Sequence, residues 1–382
     1  MSFDWRTTIL LILVAPLLPI GITLLQRSVE RRAAIFLSLW LLAWALLVTP
    51  SIIGFAGAYQ LFPWLTFAPF DTELWLGPLI YLYTLSLTRR ELPKQWKLWL
   101  APGAIQTTYY TLCFVLLGSA ENKFAYNDAF HYPYVIPVES LLAVGLGIVG
   151  VYRSWQESTR YRDWLRSSHS SMRDFDLSSL RVFLATMVGL IGLFAAAESF
   201  QLLAGRFSYN TVAIIQMGVG AAVLWLAIEA LTGVDRAYPK RTATPADKTE
   251  QSVSEPRVSN LSLDVLQNRI RENGWHRDSG LSIRRLARYL GTNESTLSAS
   301  INAVPEMNFN GFINGLRLAE VCERLLDPSE QRTVLEVAFD AGFGSKATFN
   351  RCFREQVGMT PTQWKSRGQT SQIPDLFDFS GS

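Results

Sequence analysis

Five carboxyl groups lie within or beside long apolar stretches of the first 235 residues, where an ionisable side chain is least expected. They are Asp71, Glu73, Glu139, Glu198 and Glu229. A charge inside a bilayer is costly, so each of these carboxylates is a candidate functional residue. Carboxylates attract cations and accept hydrogen bonds, and His131 belongs to the same part of the chain. The chemistry that these residues predict is recognition of a cationic or hydrogen-bonding ligand.

The residue types that perform catalysis or bind metals show no comparable grouping. The three histidines and the three cysteines are widely separated, without the spacing of a metal site or of a disulfide framework. The sequence has no glycine-rich phosphate loop and no nucleophile elbow. His169 lies in a polar Ser-Ser-His-Ser-Ser run, but no ATP-binding motif follows it, which argues against a histidine kinase. We therefore predict no enzyme activity, no cofactor and no metal.

A strongly apolar first part of the chain must position the carboxylates. The 382 residues are 18% charged, whereas soluble proteins carry about 25%. Seven stretches approach the roughly 20 apolar residues that a spanning helix needs, and a further piece at 62–70 is a candidate re-entrant segment. The seven stretches are 8–26, 34–53, 74–87, 98–118, 134–152, 180–204 and 211–231. The first lacks a basic leader and a cleavage site, so we interpret it as a retained helix.

Lysine and arginine alternate between the regions that connect these stretches. Thirteen lie in the regions after the first, third and fifth stretches, and three lie in the alternate regions. Because these residues accumulate on the cytoplasmic side of membrane proteins, the pattern predicts seven helices with the N-terminus outside and the C-terminus in the cytoplasm. The expected location is a bacterial cytoplasmic (inner) membrane, crossed several times, with the lipid bilayer as one partner.

In this topology Asp71, Glu73, Glu139 and Glu198 lie toward the outer face, with His131 at a similar depth. Glu229 lies near the inner end of the last stretch, and we expect it to reach the cytoplasmic interface. One interpretation is a ligand pocket for an extracytoplasmic signal, either a small molecule or a protein. The alternative is that these residues are helix ends in contact with water and headgroups, or internally paired groups that hold helices together. The sequence leaves both interpretations open.

The composition changes after residue 235. Residues 236–260 are polar, contain three prolines and show no apolar periodicity, which predicts a flexible linker. Residues 261–368 have the spacing of short amphipathic helices, and 369–382 form a polar, acidic tail. The predicted class is therefore all-α: a polytopic membrane helix bundle over 1–235, followed by a two-unit helix-turn-helix domain of homeodomain-like type.

Two similar patterns occur within 261–368. In the first, a helix over 282–291 ends in glycine, Asn293 is a candidate N-cap, and a second helix covers 295–302. The second pattern repeats this with helices over 333–341 and 346–356 around Gly342. A connecting helix over 309–326 separates them, with Phe312, Ile313, Leu316, Val321 and Leu325 on its buried side. Two such units joined by one helix can reach successive turns of the DNA major groove, roughly 34 Å apart.

The run AFDAGFGSKATFNRCFREQVGMTPTQW over 338–364 resembles the signature of AraC/XylS-type transcription regulators. The runs LSIRRLARYLG over 281–291 and FINGLRL over 312–318 resemble the rest of that domain. The resemblance does not extend to the apolar half, which in most members of the family is replaced by a soluble ligand-binding domain.

The resemblance implies that the second helix of each unit contacts double-stranded DNA in the major groove. In the second helix-turn-helix, the exposed positions of the recognition helix are Lys346, Ala347, Asn350, Arg351 and Arg354. Lys346, Asn350 and Arg351 can donate to base edges, and asparagine and arginine suit bidentate pairing. We expect Arg354 to contact a phosphate.

The first recognition helix departs from the family pattern. Its hydrogen-bonding residues are Ser295, Ser298 and Asn302. It has no positive charge, and Ala299 stands where the family often has arginine or another long donor. Electrostatic attraction to DNA would have to come from the preceding helix, which carries Arg284, Arg285 and Arg288. We therefore expect weaker base recognition by the first unit.

Together these features predict a membrane-embedded, signal-responsive regulator that binds promoter DNA through two helix-turn-helix units, with a second copy of the chain as a further candidate partner. One alternative is a transporter with an accessory DNA-binding tail, although no inverted repeat or pair of broken apolar segments is evident. Another is that the apolar half is only an anchor, or a docking platform for a separate membrane sensor.

Overall fold

The computed structural model describes residues 4–170, 175, 177–189, 192, 209–241, 263–304 and 307–367. Over these residues the protein consists of helices and two isolated β-bridges, without a strand. The predicted all-α class is confirmed. The chain forms two compact units, of which the first comprises Met1–Arg160 and Leu177–Pro245 and the second Tyr161–Asp176 and Ala246–Ser382.

Ten helices begin within the described residues of the first unit. They are α1 (Trp5–Val14), α2 (Leu17–Arg27), α3 (Arg31–Phe55), α4 (Ala58–Leu61), α5 (Glu73–Thr88), α6 (Ala101–Leu116), α7 (Ala120–Tyr126), α8 (Ile136–Ser168), α9 (Ser178–Gly189) and α10 (Tyr209–Thr232). A π-helical stretch, Asn127–Val135, leads into α8. The candidate re-entrant piece contains only a 3₁₀ turn, Pro63–Leu65.

Four described helical stretches are long and apolar enough to cross a membrane, as judged by length and composition. They are Trp5–Arg27, Arg31–Phe55, Ala120–Ser168 and Asn210–Thr232. The helices α5 and α6 have 16 residues each, which corresponds to a rise of about 24 Å against roughly 30 Å of hydrocarbon. The sixth predicted stretch is described only as the short helix α9, and its remainder lies outside the described residues. Four of the described stretches are thus candidate spans, and the count of seven spanning helices stays a prediction.

Helix α8 extends well beyond the predicted stretch 134–152. It continues to Ser168 through residues that the sequence assigned to a connecting loop. Tyr161 and Leu165, one turn apart on this extension, are fully buried in the second unit. Tertiary packing of one face therefore stabilises the helix after its apolar run has ended.

Helices α3 and α5 pack against each other in the first unit. The indole Nε1 of Trp40 donates to the carbonyl of Leu76 at 3.0 Å. Where α5 meets α8, a Cβ atom added to Gly77 or Gly150 would overlap the backbone of the opposite helix. Small residues allow helices to approach this closely, which is a common packing mode of apolar helices.

The beginning of the predicted linker contacts the first unit. The backbone N–H of Tyr238 donates to the carboxylate of Glu30 at 3.1 Å, and Arg241 forms an isolated β-bridge with Arg89. The guanidinium of Arg241 lies 3.5 Å from the Glu157 carboxylate. Residues 238–241 are therefore held in place and are not a free coil, because charged partners from two helices meet them. Residues 242–262 lie outside the described residues.

The second unit contains the helices of the predicted helix-turn-helix pair. They are α11 (Leu263–Glu272), α12 (Ile283–Leu290), α13 (Glu294–Asn302), α14 (Phe309–Leu325), α15 (Val334–Asp340), α16 (Lys346–Val357) and α17 (Pro361–Arg367). The bounds of α12 to α16 agree with the prediction to within one residue. Asn293 caps α13 as predicted, because its side chain accepts from the N–H of Thr296 at 2.7 Å.

Helix α14 separates two apolar clusters, one for each helix-turn-helix. Its first half contributes Phe312, Ile313 and Leu316 to a cluster with α11, α12 and α13. Its second half contributes Val321 and Leu325 to a cluster with α15, α16 and α17. The five predicted core residues of this helix are all buried. Each helix-turn-helix therefore has its own apolar core, and α14 contributes side chains to both.

The turns of the two helix-turn-helix motifs require glycine for different reasons. Gly291 has φ +68° with open space around an added Cβ, so its requirement is only the left-handed backbone. Gly342 has φ +99°, and an added Cβ would lie 2.6 Å from the carbonyl oxygen of His276 and 2.7 Å from the backbone of Arg277. The second turn therefore also lies against the backbone that precedes α12.

Candidate nucleic-acid interface

Helix α16 has one apolar and one polar face. Ser345 caps its start by accepting from the N–H of Thr348 at 3.3 Å, and Phe349 and Phe353 are buried against the core. All five predicted contact residues are exposed on this helix: Lys346, Ala347, Asn350, Arg351 and Arg354. Burial of the two phenylalanines fixes the rotation of the helix, and this rotation directs the polar face to solvent.

The guanidinium of Arg351 has one intramolecular partner that the sequence-based prediction overlooked. Its Nη1 lies 3.4 Å from the carboxylate of Glu355, one turn further along α16. The side chains are 56% and 59% exposed, and an exposed pair of this spacing is worth only about 0.3–0.5 kcal/mol. Arg351 can therefore exchange this carboxylate for acceptors on a base. The i, i+4 spacing of the two residues was the available signal.

The polar side chains of α13 are already hydrogen-bonded within the protein. The Ser295 hydroxyl donates to the side chain of Asn293 at 2.7 Å. The Asn302 amide donates to the Ser298 hydroxyl at 3.2 Å, and Ser298 is half-buried, whereas Ser295 and Asn302 are exposed. Donation to DNA by the Ser295 hydroxyl must replace an internal hydrogen bond, whereas Ser298 accepts internally and keeps its hydroxyl proton.

Two of the three arginines of α12, the helix before α13, form ion pairs with nearby carboxylates. The Nε of Arg284 lies 2.6 Å from the carboxylate of Glu294, the first residue of α13. Arg285 forms an ion pair with Asp278. Because Glu294 and Asp278 neutralise these two arginines, the surface around α13 presents less positive charge to DNA. The charge difference between the two recognition helices is thus larger than residue types alone indicate.

An ionic network around the buried residues His276 and Glu320 connects the two helix-turn-helix motifs. Glu320 on α14 accepts from the Nε2 of His276 at 2.6 Å and from Arg277 at 2.9 Å. Burial raises the pKa of Glu320, but these hydrogen bonds outweigh burial and lower the pKa to about 2. Arg324 continues the network from Glu320 to Glu330 at 3.2 Å. The partners are too distant in the sequence for periodicity to predict them.

In the first unit, Glu139 and His131 are buried members of one hydrogen-bonded cluster. The Tyr110 hydroxyl donates to Glu139 at 3.0 Å and lies 3.4 Å from the Nε2 of His131. The amide of Gln106 donates to the other oxygen of Glu139. The sequence-based prediction missed Gln106 and Tyr110, although their spacing of four residues places them on one face of α6. Glu139 is therefore paired internally.

Asp71 and Glu73 lie near this cluster and interact electrostatically with Glu139. Glu73 also lines a cavity of about 300 Å³. The other lining residues are mostly apolar and include Trp40, Trp44, Phe183, Met187 and Gln216. Glu198 lies outside the described residues. Within the part of the chain that the structure describes, no group of three His, Cys, Asp or Glu side chains could hold a metal ion.

Comparison with known proteins identifies relatives of the second unit. Residues 286–367 match the family model described as "Helix-turn-helix domain". An uncharacterised HTH-type transcriptional regulator of Staphylococcus aureus (strain COL) is 32% identical over 91 residues, which are 24% of this chain and 12% of that protein. The Melibiose operon regulatory protein of Escherichia coli (strain K12) is 27% identical over 92 residues, 24% of this chain and 30% of that protein.

The Regulatory protein SoxS of Escherichia coli (strain K12) is 27% identical over 103 residues, which are 27% of this chain and 94% of SoxS. The chain thus spans only a minor part of the staphylococcal and melibiose regulators. No solved structure gives a significant match to the chain. The fold of the second unit, its sequence signature and these relatives agree: residues 286–367 form a helix-turn-helix domain of the AraC/XylS type.

Proposed function

We propose that this protein is a membrane-embedded, signal-responsive transcription regulator that binds promoter DNA through two helix-turn-helix units. The observation that carries the proposal is the exposed face of α16, where three donors lie on an AraC/XylS-type framework. The relatives that share this framework are named as regulators. The proposed activity is DNA recognition and not catalysis.

In this proposal α16 enters the major groove and recognises bases through Lys346, Asn350 and Arg351. Arg354, one turn further along the same face, contacts a phosphate. Helix α13 lies in a neighbouring turn of the groove and contributes through Ser295, Ser298 and Asn302. Because these three residues are uncharged, we expect α16 to supply most of the sequence specificity.

Two observations support a location in the bacterial cytoplasmic membrane. Four helical stretches have the length and composition of spans, and large apolar side chains of α6 and α8 are exposed. Ile105, Leu116 and Leu141 are each at least 69% exposed. Apolar surface of this kind suits a lipid environment. A DNA-binding C-terminal half requires a cytoplasmic location, which is the orientation that the loop charges predict.

We propose that the signal binds at the cavity bordered by Glu73. Its apolar walls and single carboxylate suit a ligand with an apolar body and a cationic or hydrogen-bond-donating head. Glu139 already has two internal donors, so we expect it to position the neighbouring helices. The Glu73→Gln variant should lose the signal response without losing DNA binding, and unchanged response would reject this site.

The DNA-binding proposal is tested with the full-length protein in lipid nanodiscs. Duplexes are selected from a random-sequence pool, and the enriched sequences are expected to contain two half-sites about 10 base pairs apart. A variant with Lys346, Asn350 and Arg351 all changed to Ala is the matched control and should enrich nothing. Absence of enrichment by the unchanged protein would contradict the proposal.

A second experiment separates a sensor from an anchor. Residues 1–235 are replaced by one unrelated spanning helix, and transcription of genes next to the selected sequence is measured in cells. We expect regulation by external conditions to be lost. Retained regulation would instead support the anchor alternative.

A further inference from the structure

The segment that follows α8 packs on the DNA-binding unit. His169 forms an isolated antiparallel bridge with Ser282, the N-cap of α12. The N–H of Ser170 donates to the carbonyl of Leu281 at 3.1 Å. Ser170 is 1% exposed. A serine- and arginine-rich loop between apolar helices would be expected in solvent, so this burial requires specific partners.

One of these partners is a buried arginine of the connecting helix. The Nη2 of Arg317 on α14 donates to the Ser170 hydroxyl at 3.0 Å, and this hydroxyl donates to the Leu281 carbonyl at 2.9 Å. The same guanidinium donates to the carbonyls of His276 and Asp278, both at 2.7 Å. Arg317 thus joins Ser170 and the backbone before α12 in a single cluster.

A second clamp comes from the start of the same helix. The side-chain amide of Asn310, the second residue of α14, donates to the carbonyl of His169 at 3.1 Å and to that of Ser170 at 2.7 Å. Burial lowers the pKa of His169 to about 4, so its imidazole is neutral at cytoplasmic pH. The segment is therefore held by backbone and side-chain hydrogen bonds, without an ionic contribution from His169.

These contacts converge on the frame of the first helix-turn-helix. Ser282 begins α12, and Asn310 lies just after α13 in the sequence, so the segment joins the start of α12 to the start of α14. The named hydrogen bonds involve neither α15 nor α16. Buried backbone carbonyls and amides need partners, so withdrawal of the segment would leave polar groups at this junction unpaired.

We infer that residues 161–170, here named the strap, control the first helix-turn-helix unit. When the strap is docked, it holds α12 against α14 and supports α13 for DNA contact. When it is withdrawn, α13 loses that support. This inference rests on the proposed function, because it concerns regulation of the same DNA-binding surface.

The strap is suited to transmit movement because its residues 161–168 are the end of α8, whose first 25 residues belong to the apolar unit. A shift of this helix along its axis would move Ser170 with it. N–H···O hydrogen bonds have donor–acceptor distances of about 2.7–3.2 Å, so a displacement of the strap lengthens and weakens the clamp. Because coupling between two sites is reciprocal, DNA binding at α13 must in turn favour the docked strap.

The test uses the full-length protein in nanodiscs and the duplex selected by the unchanged protein. The double variant Ser170→Ala/Asn310→Ala should bind this duplex about tenfold more weakly, as expected for loss of several buried hydrogen bonds. The loss should be confined to the half-site contacted by α13. Ser167→Ala is the matched control, because the Ser167 hydroxyl donates within α8 to the carbonyl of Trp164. Unchanged or tighter binding by the double variant would overturn the inference.

A covalent version keeps the test valid if the double variant is unstable. Directly opposed residues of an antiparallel pair have Cα atoms about 4.5–5.5 Å apart, within the range of a disulfide. The pair His169→Cys/Ser282→Cys should therefore crosslink on oxidation while DNA affinity is retained. Failure to crosslink, or crosslinking that abolishes DNA binding, would overturn the inference. If the unchanged protein selects no duplex, the proposed function fails; if it does and the Ser170→Ala/Asn310→Ala variant binds that duplex equally well, only the strap fails.

Discussion

The two helix-turn-helix units share one architecture but differ in the state of their polar side chains. On α16, Arg351 has only an exposed pairing with Glu355, and four neighbouring positions are open to solvent. On α13, Ser298 and Asn302 are hydrogen-bonded to each other. Two helix-turn-helix motifs of the same fold therefore need not bind DNA equally, because affinity depends on which donors remain free to exchange their partners.

The units also differ in how tightly their turns are packed. The Gly342 turn is enclosed by backbone and the Gly291 turn is open. The Gly342→Ala variant should therefore lower the free energy of unfolding by about 3 kcal/mol, since strain at positive φ adds to overpacking. Gly291→Ala should cost about 1–2 kcal/mol, from the backbone conformation alone. Hydrogen exchange of peptides from residues 263–367 of the full-length protein, followed as a function of denaturant, measures both, and equal losses would contradict the packing difference.

Substitution of Glu320 tests how much the ionic network between the two helix-turn-helix motifs contributes to the free energy of unfolding. The Glu320→Gln variant should lower the free energy of unfolding by about 2–3 kcal/mol at pH 7, because a depressed pKa stabilises the folded state. The folded pKa of about 2 lies below the ordinary 4.5. The contribution is complete above pH 4.5 and is lost as the pH falls toward 2.

The gap in stability between the unchanged protein and Glu320→Gln should accordingly narrow on acidification. Denaturant unfolding at a series of pH values from 7 to 3 provides the measurement. A gap independent of pH would show that Glu320 acts only through packing.

The sharpest test of unequal recognition compares one substitution on each helix. Arg351→Ala should make the free energy of binding to the selected duplex less favourable by about 1–3 kcal/mol and relax the sequence specificity at one base position. Ser298→Ala should cost less than about 0.5 kcal/mol, since Ser298 is half-buried and its uncharged hydroxyl forms a weaker hydrogen bond than a guanidinium. Fluorescence anisotropy with the labelled duplex measures both, and losses of equal size would abolish the proposed asymmetry.

The smallest expected effect concerns the acidic start of α13. Glu294→Gln removes the partner of Arg284 and leaves that guanidinium available to a phosphate. We expect DNA affinity to rise about twofold to fivefold at low salt, with one additional phosphate contact in the salt dependence. Glu272→Gln, the same charge change at an exposed position of α11, is the control for net charge. A rise of the same size in both variants would attribute the effect to net charge alone.

The sequence predicted the helix-turn-helix half closely because its signals are local. Asn293, Gly291 and Gly342 mark helix ends, and the apolar positions of α14 repeat at helical spacing. The apolar half was predicted less well. Hydropathy locates apolar stretches but does not fix where a helix ends, so α6 proved shorter than its predicted stretch, α5 one residue longer at each end and α8 much longer.

The sequence by itself thus determined the helical class, the two helix-turn-helix units and the exposed face of α16, because each depends on residues within a few turns of one another. Only the tertiary structure decided that Glu139 is paired with Tyr110 and that Arg317 holds Ser170. The physical reason is that a buried polar group must find a donor or acceptor wherever the packed chain provides one. For Ser170 that partner lies 147 residues away.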